Sequence, residues 1–161
     1  MRLLRATKSN FLFDLNDKEK ALLLHVLSLY PRVPPAHHKA TKKPADREQE
    51  SQRLLDDALA EQRAANKKIL QAFTTDPRRF NKSGEGWHLN ISPSEMEWLL
   101  QVLNDVNVGT WLSLGSPNPK VKIGAITEHN ANDYLAMELA TGFQYLLLEA
   151  LEGRSGQDAK P

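Results

Sequence analysis

The side chains best suited to chemistry in this chain are its carboxylates, its serines and its five histidines, at positions 25, 37, 38, 88 and 129. Adjacent His37 and His38 offer a metal two imidazoles, but a stable site needs three or four preorganised ligands. No HExxH, no histidine pair at i and i+4 and no carboxylate–histidine cluster is written in the chain. There is no cysteine, which removes thiolate nucleophiles, disulfides and zinc sites built on sulfur. No G-x-S-x-G elbow presents a serine. The run Gly84-Glu85-Gly86 lacks the frame of a phosphate-cradling loop. Glu138 and Glu149 stand beside apolar residues near the C-terminus, where burial would raise a carboxyl pKa. An enzyme with a carboxylate/histidine site near Glu138 is therefore the weakest functional expectation. No catalytic, cofactor-binding or metal-binding residue is assigned.

Two polar groupings remain. Asn104, Asp105 and Asn107 interrupt an otherwise apolar helical stretch, although Asn and Asp compete with the backbone for hydrogen bonds and suit helix interiors poorly. They read either as a polar binding spot or as groups that bond a neighbouring loop or an arginine across the core. Arg32, Lys39, Lys42 and Lys43, with His37 and His38, make residues 32–43 a basic loop. That loop suits contact with an acidic protein or a nucleic acid. It has no interleaved aromatic residues on which bases would stack, so a solvated loop is the plainer reading.

These groups must be positioned by a chain of 161 residues, the size of one domain. Lys and Arg total 21 against 20 Asp and Glu, so no global charge draws the protein to nucleic acid or an anionic membrane. No apolar run reaches the roughly 20 residues of a membrane span. Without cysteines or an apolar leader, a cytoplasmic, soluble domain is expected.

Phe11, Phe13 and Leu15 alternate at period two and predict a short strand. Asn16 and Glu19 then form a capping-box pair, and the following helix must stop before Pro31. A second helix is predicted over residues 46–73, with Leu55, Leu59, Ile69, Leu70 and Phe73 along one packed face. Trp87, Leu89 and Ile91 predict a second strand. Ser92, Pro93 and Glu95 start a third helix that should reach Leu114 and end at Gly115. A last helix is predicted over 128–152, apolar almost all round. If part of it proves exposed, a homodimer is expected.

One offset relates the two halves. Asn16 and Ser92, Glu19 and Glu95, Leu23 and Leu99, Val26 and Val102, and Leu27 and Leu103 are all 76 positions apart, as are Ala64 and Ala140 further on. The matches suggest a duplicated strand–helix–helix unit with halves 11–73 and 87–149. Pairing of the two strands would then make a small antiparallel ribbon under the helices.

The segment "VLNDVNVGTWLSLGSPNP" followed by "YLAMELATGFQYLLLEALEG" resembles an uncharacterised bacterial family of helical proteins known only as a domain of unknown function. Leu103, Asn104 and Asp105 match its Leu-Asn-Asp element and Gly115 its turn glycine, while Asn107 stands where the family pattern has arginine. The resemblance implies a mainly helical fold without an established activity. By gene position it hints at protein-quality control.

The expected architecture is thus mainly α: four helices with a minor two-stranded antiparallel ribbon, in a single domain over 1–153 with a disordered tail over 154–161. The expected function is a non-enzymatic protein-interaction or regulatory role, with an unknown protein partner or a second copy as partner. A nucleic-acid accessory role through residues 32–43 is the alternative.

Overall fold

The computed structural model of the protein describes residues 1–34, 46–116 and 126–158. Among these the elements are β1 (Arg2–Ala6), β2 (Phe11–Leu15), α1 (Asp17–Ser28), α2 (Asp46–Thr75), β3 (Phe80–Ser83), β4 (Gly86–Ile91), α3 (Pro93–Ser113) and α4 (Ala131–Asp158). The protein is mainly α, with a sheet.

The expected two-stranded ribbon is the middle of a four-stranded antiparallel sheet ordered β1-β2-β4-β3. The two added strands lie at its edges. β1 buries none of its residues fully and β3 buries only Phe80, so neither carries the apolar alternation that marks a half-buried strand. Backbone pairing to β2 and β4 holds them instead. On the inner strands Phe11, Phe13, Leu15, Leu89 and Ile91 are at most 1% exposed, and they face the helices. Asn90 lies on the opposite, solvent side.

The register of this sheet follows the 76-residue offset. Phe13 pairs with Leu89, its own equivalent, and Phe11 pairs with Ile91 while Leu15 pairs with Trp87. In the outer hairpins, adding 76 turns Arg5↔Leu12 and Ala6↔Phe11 into Asn81↔His88 and Lys82↔Trp87, and both of these pairs are present. Read from either edge, the sheet has the same order and the same central register.

Each inner strand runs straight into a capped helix. Asn16 accepts from the Glu19 N–H while the Glu19 carboxylate accepts from the Asn16 N–H, and Ser92 and Glu95 repeat the arrangement. Ile91 before the second cap and Met96 in its first turn are both fully buried. Arg79 adds an ion pair to Glu95 at 2.6 Å. Burial works against the Glu95 carboxylate, but the Ser92 N–H, the Arg79 guanidinium and the Ser92 hydroxyl hold its pKa below the ordinary value. A depressed carboxyl pKa stabilises the fold above the unfolded-state value, and the gain is lost as pH falls through the folded one. Glu95→Gln is therefore expected to cost about 1 kcal/mol at neutral pH. In urea titrations the gap to the parent protein should narrow as pH drops below 4.5. An equal gap at neutral and acid pH would show that the carboxylate charge contributes nothing.

Leu23, Val26 and Leu27 of α1 and Leu99, Val102, Leu103 and Val106 of α3 close the core over the sheet. α4 lies along α3 and buries Tyr134, Ala136, Ala140, Phe143, Leu147 and Ala150. It starts at Ala131 and continues through Gly153 to Asp158, so it begins later and ends later than the expected 128–152. Residues 154–158, expected in a disordered tail, are its last turn, and 159–161 lie outside the described residues. Part of α4 is open to solvent: Leu135, Tyr145 and Leu148 are 52%, 65% and 48% exposed. α3 ends as expected at Gly115, whose φ of +80° suits a residue without Cβ.

α2 departs most from expectation. Among its described side chains only Phe73, at its C-terminal end, is buried, packed edge-on against Phe80 at 6.2 Å and tilted against Trp98 at 5.5 Å. Leu59 and Leu70 are half-buried, whereas Leu55 and Ile69 are exposed. The predicted single packed face is thus only partly covered. α4 seals α3, but α2 does not seal α1.

Candidate functional site

The chain leaves α1 at Tyr30 and crosses α3 before α2 begins. Pro31 cannot continue the helix, so the backbone N–H groups beyond it need other partners. Asp105, one turn and a half before the end of the buried part of α3, supplies them. Its Oδ1 accepts from the N–H of Arg32 at 2.6 Å and of Val33 at 3.2 Å. Gly109, one turn further along α3, leaves the space this crossing needs. A Cβ there would lie 2.4 Å from the Arg32 carbonyl carbon, inside any permissible contact.

The same short segment reaches the other two helices. The Arg32 guanidinium forms an ion pair with Asp133 in the first turn of α4, where a carboxylate also complements the helix dipole. The Val33 carbonyl accepts from Arg63 of α2 at 3.0 Å, and Asn66 of α2 donates to the Tyr30 hydroxyl at 3.2 Å. Residues 30–33 therefore act as a latch between all four helices.

Beyond the latch α2 and α3 diverge around a cleft of about 680 Å³. Val33, Leu55, Leu59 and Val108 give it apolar walls, and Gln62, Asn66, Gln101 and Asn104 add carboxamides. Carboxamides offer both donors and acceptors without charge. Among the described residues the only carboxylate at the cleft, Asp105, already bonds the two latch amides. Among the described residues no three His, Asp or Glu side chains are gathered as metal ligands.

The three polar residues of α3 are not brought together. Asn104 is exposed at the cleft, Asp105 holds the latch, and Asn107 turns to α4. There its Nδ2 donates to Thr141 Oγ1 at 2.9 Å and to Gln144 Oε1 at 3.1 Å. Arg32 of the basic loop is paired with Asp133; Lys39, Lys42, Lys43, His37 and His38 lie outside the described residues. His25 and His129 are exposed, and so are Glu138 and Glu149 on α4. His88 sits on β4 opposite Asp14.

Tyr30, Arg63 and Asn66 carry no motif, and their partners are 30 to 36 positions away. No local signal distinguishes them from an ordinary helix surface. A second charged cluster surrounds Trp87, whose Nε1 donates to Asp17 at 2.6 Å while Lys20 Nζ lies 3.1 Å from the ring centroid. Burial lowers the Lys20 pKa, and the Trp87 hydrogen bond, with Lys82 near, lowers that of Asp17. This cluster ties the start of α1 to β4.

Among the described residues no helix is long and apolar enough to cross a membrane. Comparison of the chain with protein-family models, with curated proteins and with solved structures finds no match in any of the three.

Proposed function

We propose that this is a non-enzymatic interaction protein of the cytoplasm that takes a segment of another polypeptide into the cleft between α2 and α3. The supporting observation is the composition of that cleft: leucine and valine walls with four carboxamides, and a carboxylate and a guanidinium already committed to the latch. Apolar walls take side chains, and amides match the donors and acceptors of an extended or helical backbone.

The same reading explains why one helix is left open. The chain is an internal duplication of a strand–helix–helix unit, the halves 11–73 and 87–149 each preceded by an edge strand. Two capping boxes and a self-equivalent sheet register support this. In the second half the last helix seals the core. In the first half its counterpart stands away and forms one wall of a binding cleft.

Affinity purification of the full chain from its native cells tests the proposal. A polypeptide partner is expected to co-purify and to be lost with Leu59→Asp while the melting temperature is kept. Recovery of nucleic acid released by salt, or a partner indifferent to Leu59→Asp, would refute it.

A further inference from the structure

The cleft between α2 and α3 is graded along its length. Phe73, near the end of α2, meets Trp98 in the second turn of α3. Further along, both helices hold Val33, Arg63 through its carbonyl and Asp105 through its N–H. The two helices therefore run antiparallel. Counting away from Phe73, α2 presents Asn66, Gln62, Leu59 and Leu55 to the cleft, while α3 presents Gln101, Asn104 and Val108. Four carboxamides thus line the end nearest Phe73, and leucine and valine line the other.

Among the described residues the only charged side chains at the cleft are Arg63 and Asp105, and both already bond the latch backbone. A charged side chain entering the cleft would leave water without a partner of opposite sign. The backbone of an occupant meets the same demand, since each buried N–H and C=O needs a partner. At the leucine and valine end the lining side chains supply none. An extended chain gains such partners at a sheet edge. The edges of this sheet belong to β1 and β3, and neither strand lines the cleft. An α-helix satisfies its own backbone. The lining rows run at steps of four, three and four on α2 and three and four on α3. Rows at that spacing are ridges between which the side chains of a third helix fit.

We infer that the occupant of the cleft is a helix of a partner protein whose contacting face is uncharged, apolar at one end and carrying Asn, Gln, Ser or Thr at the other. This rests on the reading of the cleft as a polypeptide site and names the class of segment it takes. Recognition then comes from apolar packing and amide pairing, so affinity should change by less than about twofold between low and high salt.

Selection of displayed random peptides of about 18 residues, long enough to form a helix, on the immobilised full chain tests the inference. The Leu59→Asp protein serves to remove peptides that bind elsewhere. Recovered peptides are expected to share apolar residues at helical spacing, followed on the same face by uncharged polar residues. Asp, Glu, Lys and Arg should be missing from that face. Proline placed at the centre of a recovered peptide should weaken binding by about tenfold or more. In the double variant Gln101→Leu/Asn104→Leu the residues selected at the polar end should become apolar. Both side chains are exposed, and circular dichroism should show the helix content retained. Cleft-specific peptides that tolerate the proline, that carry charges on the contacting face, or whose polar end is indifferent to the double variant would overturn the inference and leave the polypeptide reading standing. Recovery of no peptide that prefers the parent protein to Leu59→Asp would overturn both.

Discussion

Replacing Phe13 with alanine is expected to lower the stability of the fold by about 3–5 kcal/mol, the usual cost of a cavity left by a buried aromatic ring. Phe13 is 1% exposed and pairs with Leu89 at the centre of the sheet, where the two hairpins meet. The ring therefore joins the two hairpins and fills the core shared with α1 and α3. Leu89→Ala should cost about 2–5 kcal/mol by the same reasoning. Because the two residues face each other, the double variant should cost measurably less than the sum. Urea unfolding of the three variants checks this. Leu4→Ala, on the exposed edge strand β1, should change stability by no more than about 0.5 kcal/mol. A Phe13→Ala variant as stable as Leu4→Ala would mean that the sheet centre does not hold the halves together.

Asp105→Ala should cost about 2–4 kcal/mol, because it strands two backbone N–H groups that a carboxylate now satisfies. Those groups belong to Arg32 and Val33, and Gly109 brings that backbone so close that the rest of the latch leaves no room for adjustment. Asp105→Asn keeps an acceptor oxygen without the charge and should lose about half as much. The distinguishing measurement is amide hydrogen exchange. Protection should fall first at Arg32 and Val33, with the sheet amides of β2 and β4 unaffected at the same denaturant. Uniform loss of protection would mean that Asp105 supports the core in general and not the latch.

These two residues also show how differently parts of the molecule are written in the chain. Phe13 is legible at once, since Phe11, Phe13 and Leu15 alternate and a cap follows. The same local rules place β4, both capping boxes and the stop at Gly115, because each depends on neighbours within about four residues. The edge strands are not legible. β1 exposes its arginines and β3 buries only Phe80, and pairing through the backbone leaves no side-chain signature. Asp105 lies between these cases. A carboxylate in an apolar helix announces that it needs a partner, but the amides it finds are more than 70 positions earlier.

The sequence by itself determined which segments become helices, where three of them begin or end, and which faces of β2, β4, α1 and α3 turn inward. Those follow from period, capping and the cost of exposing apolar surface, all of which act over a few residues. It also carried the 76-residue offset that the sheet register reproduces. Only the tertiary structure decided that α4 lies on α3 while α2 stands away from α1, and so which polar groups meet. That choice rests on contacts between distant segments: Phe73 against Phe80 and Trp98, Arg32 with Asp133, Gly109 beneath the latch. Two helices with matching apolar patterns can pack in different places, because hydrophobic burial rewards area and not identity. The cleft exists where that freedom was used.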